Sequence, residues 1–225
     1  MEIKVLTIKE DILGANKKKA RANQGRINKH GILSINIMSS PGAGKTSLIL
    51  QTISNLRSKI RIAVIEGDVA SQVDAEKIHQ QGVPIVQINI PGGCHLDANM
   101  IDNALNHLPL ENLDLLIIEN VGNLICPAEF DLGEHKRVIL ASIPEGDDKP
   151  YKYPLMFTEA DVILVTKCDL SPYLDFQLNR FREGIKRLNP SVQILSISSK
   201  TGEGLDQWFA WLINQMKDLR SHLTP

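Results

Sequence analysis

The sequence predicts an α/β fold with a mostly parallel central sheet and helices on both faces, and three observations predict it. Seven short runs rich in β-branched residues recur after residue 30; helical patterns separate them; and several of the runs are apolar on consecutive residues. Alternation of strands with helices gives βαβ units and a parallel sheet. Consecutive apolar residues fit strands covered on both faces, because a half-exposed strand would alternate.

The strand runs, in order, are ILSINIM (32–38), IRIAVIEG (60–67), VPIVQIN (83–89), LDLLIIE (113–119), KRVILAS (136–142), DVILVTK (161–167) and SVQILSIS (191–198). Between them TSLILQTISNL, VDAEKIHQQ, LDANMIDNALNHL and LDFQLNRFREGIKRL carry apolar residues three and four apart, and LDQWFAWLINQMKDL closes the domain in the same way. Residues 17–30, KKKARANQGRINKH, hold six Lys/Arg and no acid, which reads as the solvated face of an N-terminal helix, with a partner-docking patch as the alternative. The expected organisation is an N-terminal helical extension, 1–30, ahead of a nucleotide-binding domain, 31–225. The segment IPEGDDKPYKYP (143–154), with its three prolines and mixed charge, is a candidate functional loop.

Bulk properties narrow the class. The 225 residues carry 25 Lys+Arg against 26 Asp+Glu, so no overall field draws the chain to nucleic acid or a membrane surface. No apolar run reaches the length of a membrane span, and the N-terminus lacks a signal-peptide core. Three cysteines, an odd number, favour reduced thiols over a disulfide framework. A cytoplasmic location is expected.

SSPGAGKTS (39–47) follows the first strand and opens a helix, as a P-loop does, with Ser39 where the first glycine of the pattern stands. The expected fold is therefore that of a P-loop NTPase. Successive amides of Ser40, Gly42, Ala43, Gly44, Lys45, Thr46 and Ser47 are candidates to cradle phosphate at the positive end of the helix dipole. Lys45 is placed for the β- and γ-phosphates, and the Thr46 hydroxyl for Mg²⁺. A magnesium–triphosphate site needs carboxylates at neighbouring strand ends. VIEGD offers Glu66 and Asp68, and LIIENVG offers Glu119 with Gly122 three residues on. Asp68 and Glu119 are the candidate magnesium residues, with helix capping or a surface strand end as the alternative. Gly122 stands where the D-x-x-G element of GTPases meets the γ-phosphate. VTKCDL resembles N-K-x-D: Asp169 matches the guanine hydrogens, Lys167 stacks, and Thr166 replaces asparagine. In SISSKTGEG, Ser199 and Lys200 occupy a loop like S-A-K, which contacts the guanine oxygen.

Cys94 and His95, in IPGGCHLDA, lie at the same end of the sheet, and Cys126 lies just beyond Gly122. Thiolate and imidazole are the ligand set of Zn²⁺ or Ni²⁺. One chain supplies three such groups, and two chains facing each other would share metal between paired sets; a buried thiol and a surface imidazole are the alternatives. Cys168 reads as a packed small residue, and His30, His79, His107 and His135 as surface residues.

MSSPGAGKTS, IEGDVASQVDAEKI, PGGCHLDA, ENVGNLICPAEFDLGE, SIPEGDDKPYKYP and VTKCDL together resemble the HypB family of hydrogenase-maturation GTPases, of the SIMIBI class of P-loop NTPases, from about residue 12 to residue 215. The resemblance implies a GTP- and metal-dependent homodimer that assists nickel insertion into the NiFe hydrogenase large-subunit precursor, working with a HypA-type metallochaperone. It implies GTP/GDP and Mg²⁺ as cofactors, with Zn²⁺ or Ni²⁺ held by Cys94, His95 and Cys126 at the dimer interface. The N-terminal cysteine cluster and histidine-rich tract of some members are absent from this sequence. Asp74 is a candidate water-positioning group, with a surface helix start as the alternative, and no glutamine or arginine finger is evident, so slow hydrolysis is expected. Lys149 or Lys152 would reach nucleotide across the dimer if not simply solvated. Two rivals are a urease-type nickel GTPase, which carries Cys-x-His in place of adjacent Cys-His, and a metal-delivery protein with a non-catalytic nucleotide pocket.

Overall fold

The computed structural model describes residues 8–69 and 71–223. The elements run α1 (Ile8–Asn28), β1 (Leu33–Met38), α2 (Lys45–Leu56), β2 (Ile62–Asp68), α3 (Val73–His79), β3 (Ile85–Asn89), α4 (Ala98–Leu105), β4 (Leu115–Glu119), α5 (Cys126–Glu129), β5 (Lys136–Ser142), α6 (Lys149–Lys152), α7 (Pro154–Thr158), β6 (Val162–Thr166), α8 (Leu178–Leu188), β7 (Gln193–Ser196) and α9 (Leu205–Leu223). All seven strand runs form, and they build one sheet in the order β3-β2-β4-β1-β5-β6-β7 with every pairing parallel. The neighbours β1 and β4 lead in opposite directions, β1 onward to β2 and β4 onward to β5, which opens a crevice at their carboxyl ends.

Burial explains the consecutive apolar runs. Leu33, Ile35 and Ile37 of β1 face a core completed by Leu48, Ile49 and Ile53 of α2 and by Trp208 and Leu212 of α9. The alternate residues face the opposite layer, which is split in two. Over β2 and β4, Ile65 and Ile118 pack with Ile27 of α1 and Ala104 and Leu105 of α4. Over β5 and β6, Ile139 and Ile163 pack with Phe157 of α7 and Phe181 and Ile185 of α8. In the first core the Trp208 indole donates to Thr52 Oγ1 at 2.9 Å, so the largest buried side chain leaves no polar atom unpaired.

Residues 1–7 of the expected extension lie outside those described. Its described part, α1, is pinned to the body by two buried amides. Asn16 donates to Asp131 O at 2.7 Å and Asn23 to Ala98 O at 2.8 Å. Within the basic stretch Lys19 pairs with Asp102, and Arg26 donates to Asn106 and Leu105 O, whereas Lys17, Lys18, Arg21 and Lys29 are exposed. The segment 143–154 is not an open loop. Ser142 and Glu145 close a capping box on a 3-10 turn, α6 and α7 follow, and the segment docks on α8 through Asp147–Arg180 at 3.1 Å and Tyr151 against Gly184. Lys152 pairs with Asp148, and the Lys149 ammonium stands 5.6 Å from the Tyr153 ring centroid.

One sequence expectation is corrected here. His30, His79 and His107 are exposed, but His135 is wedged between α1, β1 and the start of β5. The Ser34 amide donates to its Nδ1 at 3.0 Å, so its proton resides on Nε2, which donates to Asn28 Oδ1 at 2.6 Å. Burial, with Lys136 adding to it, pushes its pKa down to about 4. The signal was absent from the sequence because both partners are distant in the chain.

A histidine held neutral in the fold is protonated more readily when unfolded, so its contribution is complete above pH 6.5 and is lost as the pH falls toward 4. Unfolding of the wild-type chain and of His135→Gln, followed across pH 7 to 4, should show the wild type losing roughly 3 kcal/mol more than the variant over that range. Parallel pH profiles would contradict the assignment.

Candidate functional site

At the carboxyl end of β1 the chain turns through Ser39–Gly44 into α2. Gly44 has φ 101°, a left-handed conformation that a side chain disfavours, and it delivers the first turn of α2 at Lys45 and Thr46. The Lys45 ammonium lies 3.4 Å from Ser39 Oγ, so serine at this position serves as an acceptor that steadies the lysine. The Thr46 hydroxyl lies 2.9 Å from Glu119 Oε1 and 3.1 Å from Asp74 Oδ2, donating its single proton to one at a time. Asp74, in the first turn of α3, is thereby brought to the crevice. Lys77 pairs with it at 2.7 Å, which with the Thr46 contact keeps its pKa below the usual carboxylate range.

The expected carboxylates are brought together unequally. Glu119 is buried at the end of β4. Asp68, at the end of β2, accepts the amides of Val69 and Ser71 in the loop that follows. The residue that faces Glu119 instead is Glu66, its direct partner in the β2–β4 register. Of the four buried side-chain polar atoms without a hydrogen-bond partner among the described residues, three cluster here: Ser40 Oγ, Glu66 Oε2 and Glu119 Oε2. Burial first, and then Glu119, push Glu66 up to about 8; burial lifts Glu119 to about 7 against the pull of Lys45. Unpaired carboxyl oxygens beside a hydroxyl, able to give up their protons to a cation, fit a small divalent ion with oxygen ligands. Gly122 follows, so close to the phosphate loop that a Cβ on it would stand 2.9 Å from Pro41.

Beside the phosphate loop lies a cavity of about 340 Å³ lined by Ala43, Gly44, Thr166, Lys167, Asp169, Ser198, Ser199 and Lys200 among others. Thr166 donates to Ala43 O at 2.6 Å, tying β6 to the phosphate loop, and the Lys167 ammonium donates to Gly42 O at 2.7 Å. Ser47 is exposed at the cavity rim. The hydroxyl of buried Ser198 donates to Asp169 Oδ1 at 2.7 Å and accepts the amides of Lys200 and Thr201. Ser198 thus aims the carboxylate, and the first serine of SSK was the signal for it. Gln51 of α2 donates to Ser199 O. Cys168 lies outside this lining; burial and Glu203 push its thiol up to about 11, so it is no ready ligand.

Cys94, His95 and Cys126 converge within one chain, their ligand atoms all within 4.8 Å of one another. Two ligands on one tetrahedral zinc stand about 3.8 Å apart at ordinary bond lengths; Cys94 Sγ and His95 Nδ1, 3.4 Å apart, are already that close, so the three groups suit three of four positions. His95 stacks on Phe130 at 3.9 Å, and burial lowers its pKa, which keeps the imidazole neutral. The hydrogen bond with Cys126 and partial burial raise Cys94, so a metal must displace its proton.

Comparisons with known proteins place the chain in a family. The sequence-family profile described as "CobW/HypB/UreG, nucleotide-binding domain" matches residues 33–196. The hydrogenase maturation factor HypB of Azotobacter vinelandii is 47% identical over 212 residues, covering 94% of this chain and 70% of its own. The probable HypB of Methanocaldococcus jannaschii is 43% identical over 96% of this chain and 98% of its own. The crystal structure of HypB from Helicobacter pylori in complex with nickel superposes with TM-score 0.86 at 37% identity, over 91% of this chain and 96% of that one. The GDP complex of the signal-recognition-particle receptor FtsY from Elizabethkingia anophelis, at 16% identity and TM-score 0.53 over 78% of this chain and 65% of that one, shares the fold alone. Sequence, sheet order and site geometry agree, and the chain belongs to the HypB family of CobW/HypB/UreG nucleotide-binding proteins.

Proposed function

We propose that this chain is a GTP-hydrolysing metallochaperone that delivers nickel for maturation of nickel–iron hydrogenase, with Cys94, His95 and Cys126 holding the metal. One observation carries the reading: the ligand cluster and the phosphate crevice are built on one segment, with Glu119 and Gly122 at its start and Cys126 at its end. The name of the Helicobacter pylori structure, a complex with nickel, supports nickel as the cargo.

The phosphate-loop amides and Lys45 bind the β- and γ-phosphates, and Lys45 stabilises the charge that develops on the transferred group. Thr46 and Glu119 would hold Mg²⁺, with Glu66 behind them and Asp68 at the loop edge. The cation, when bound, neutralises charge on the phosphate oxygens. Asp74, within reach of Thr46, orients the attacking water. Asp169, aimed by Ser198, accepts the guanine N1 and N2 hydrogens, Lys167 covers the base, and the loop of Ser199 and Lys200 meets its oxygen. With no glutamine or arginine finger among the candidates, turnover is slow. Ile125, exposed beside Cys126, and the open fourth metal position favour a second copy facing this edge, so the active form is a GTP- and metal-dependent homodimer. A HypA-type metallochaperone and the hydrogenase large-subunit precursor are the partners, and Zn²⁺ is the competing metal.

GTP turnover measured by phosphate release should fall on the order of 100-fold or more in Lys45→Ala. In Glu119→Gln, half-maximal turnover should need roughly tenfold more Mg²⁺. Wild-type turnover at background, with metal present, would defeat the GTPase reading. Ni²⁺ titrated into reduced protein should give a thiolate–metal absorption band that is lost in Cys94→Ser and in Cys126→Ser, while GTP affinity is retained. Affinity should also weaken as the pH falls, because Cys94 must release its proton. An unchanged band in both variants would remove the metal site.

A further inference from the structure

Between the crevice and the metal ligands run two asparagines for which neither site has a chemical use. Asn120 is buried directly after Glu119. Its Oδ1 accepts the amide of Val121 at 2.9 Å and that of Leu96 at 3.3 Å, and its Nδ2 donates to Asn36 Oδ1 at 3.3 Å. Two backbone donors fix which end of the carboxamide is oxygen, so its orientation is determined. Leu96 is the residue after His95. Asn123, one residue beyond Gly122, is half-buried; its Nδ2 donates to Cys94 O at 3.1 Å while its Oδ1 accepts the amide of Ile125, next to Cys126. The Cys94–Leu96 backbone is thus hydrogen-bonded at both ends to the segment that starts at Glu119 and lies against Pro41 at Gly122.

We infer that Asn120 and Asn123 are positioning residues that couple the two sites, carrying a displacement of the Glu119–Gly122 segment at the γ-phosphate into the spacing of Cys94, His95 and Cys126. The inference rests on the proposed function, because it needs both a nucleotide and a metal to couple. Neither side chain touches phosphate or metal. Asn120 holds the Leu96 amide from the core side, anchored through Asn36 on β1, the strand that enters the phosphate loop. Asn123 holds the Cys94 carbonyl and the Ile125 amide, so it links the backbones flanking both cysteines. When the segment tightens on a γ-phosphate, these bonds move the cysteine backbones with it; when the phosphate leaves, they let the ligand spacing relax. Coupling by such contacts is a differential free energy that acts equally in both directions.

The test titrates Ni²⁺ into the full chain loaded with GDP and then with a non-hydrolysable GTP analogue and Mg²⁺, reading the thiolate–metal band, for wild type, Asn123→Ala and Asn120→Ser. The wild-type affinities should differ between the two states by about fivefold or more. Asn123→Ala, outside the buried core, should bring that ratio to within about twofold of unity, with metal bound and nucleotide affinity unchanged. The reciprocal measurement, the effect of Ni²⁺ on GTP-analogue affinity, should shrink by the same factor. A merely structural role would lower affinity in both states and leave the ratio standing. A wild-type ratio retained in Asn123→Ala and in folded Asn120→Ser overturns the inference and leaves the proposed function intact. A wild type that hydrolyses GTP and binds nickel equally in both states overturns it too. A wild type that binds no nickel removes the proposed function itself, and the coupling with it.

Discussion

Two carboxylates, Glu66 and Glu119, stand side by side on neighbouring strands, each with a buried oxygen that no hydrogen bond satisfies. Burying such a pair ionised costs several kcal/mol per charge unless a proton or a cation joins it. The parallel register makes the pair, since it sets Glu66 of β2 level with Glu119 at the end of β4. The surroundings answer the charge. Lys45 draws Glu119 down, Thr46 donates toward it, and the amides opening α2 face the same space. Without a cation the pair retains protons near neutrality, and an ion of two positive charges would replace them. The crevice is preorganised for a charge it does not itself contain.

The second site depends on the same strand end. From Glu119 the chain passes Pro41 at Gly122 and reaches Cys126 seven residues later, while hydrogen bonds from Asn120 and Asn123 hold the Cys94–Leu96 turn alongside. The two proposed sites, hard oxygen groups suited to a small cation and thiols with imidazole suited to a transition metal, would therefore share one short piece of backbone. Buried strands anchor both: the Ser39–Gly44 turn continues from β1 and the 119–126 segment from β4, with Thr166 and Lys167 bonded to the turn from β6.

Local pattern made most of this legible in the sequence. The inner strands β1, β2, β4, β5 and β6 are apolar runs largely buried on both faces, whereas the edge strands β3 and β7 are only partly covered, and the phosphate loop, T-K-x-D and Cys-His elements are each contiguous. What the sequence hid is what register and distance create. The sequence offered both Glu66 and Asp68, but only the register shows that Glu66 is the one beside Glu119, while Asp68, two residues on along the same strand, accepts the amides of its own loop. Thr166 departs from the familiar asparagine, yet its hydroxyl reaches Ala43 O, a contact across more than 120 residues. His135 looked like a surface imidazole because Ser34 and Asn28, its partners, lie about 100 residues away. The three prolines of 143–154 marked a candidate functional loop, and in the structure they start short helical turns, with the segment packed on α8.

The central claim is that one segment serves both sites, and amide hydrogen exchange tests it most directly. Exchange would be followed in the full chain with GDP and with a non-hydrolysable GTP analogue and Mg²⁺, with no transition metal present. The account predicts that the analogue protects residues 119–126 and 94–97 together, since they are tied by hydrogen bonds. Protection confined to the phosphate loop and α2, with 94–97 exchanging at the same rate in both states, would contradict it.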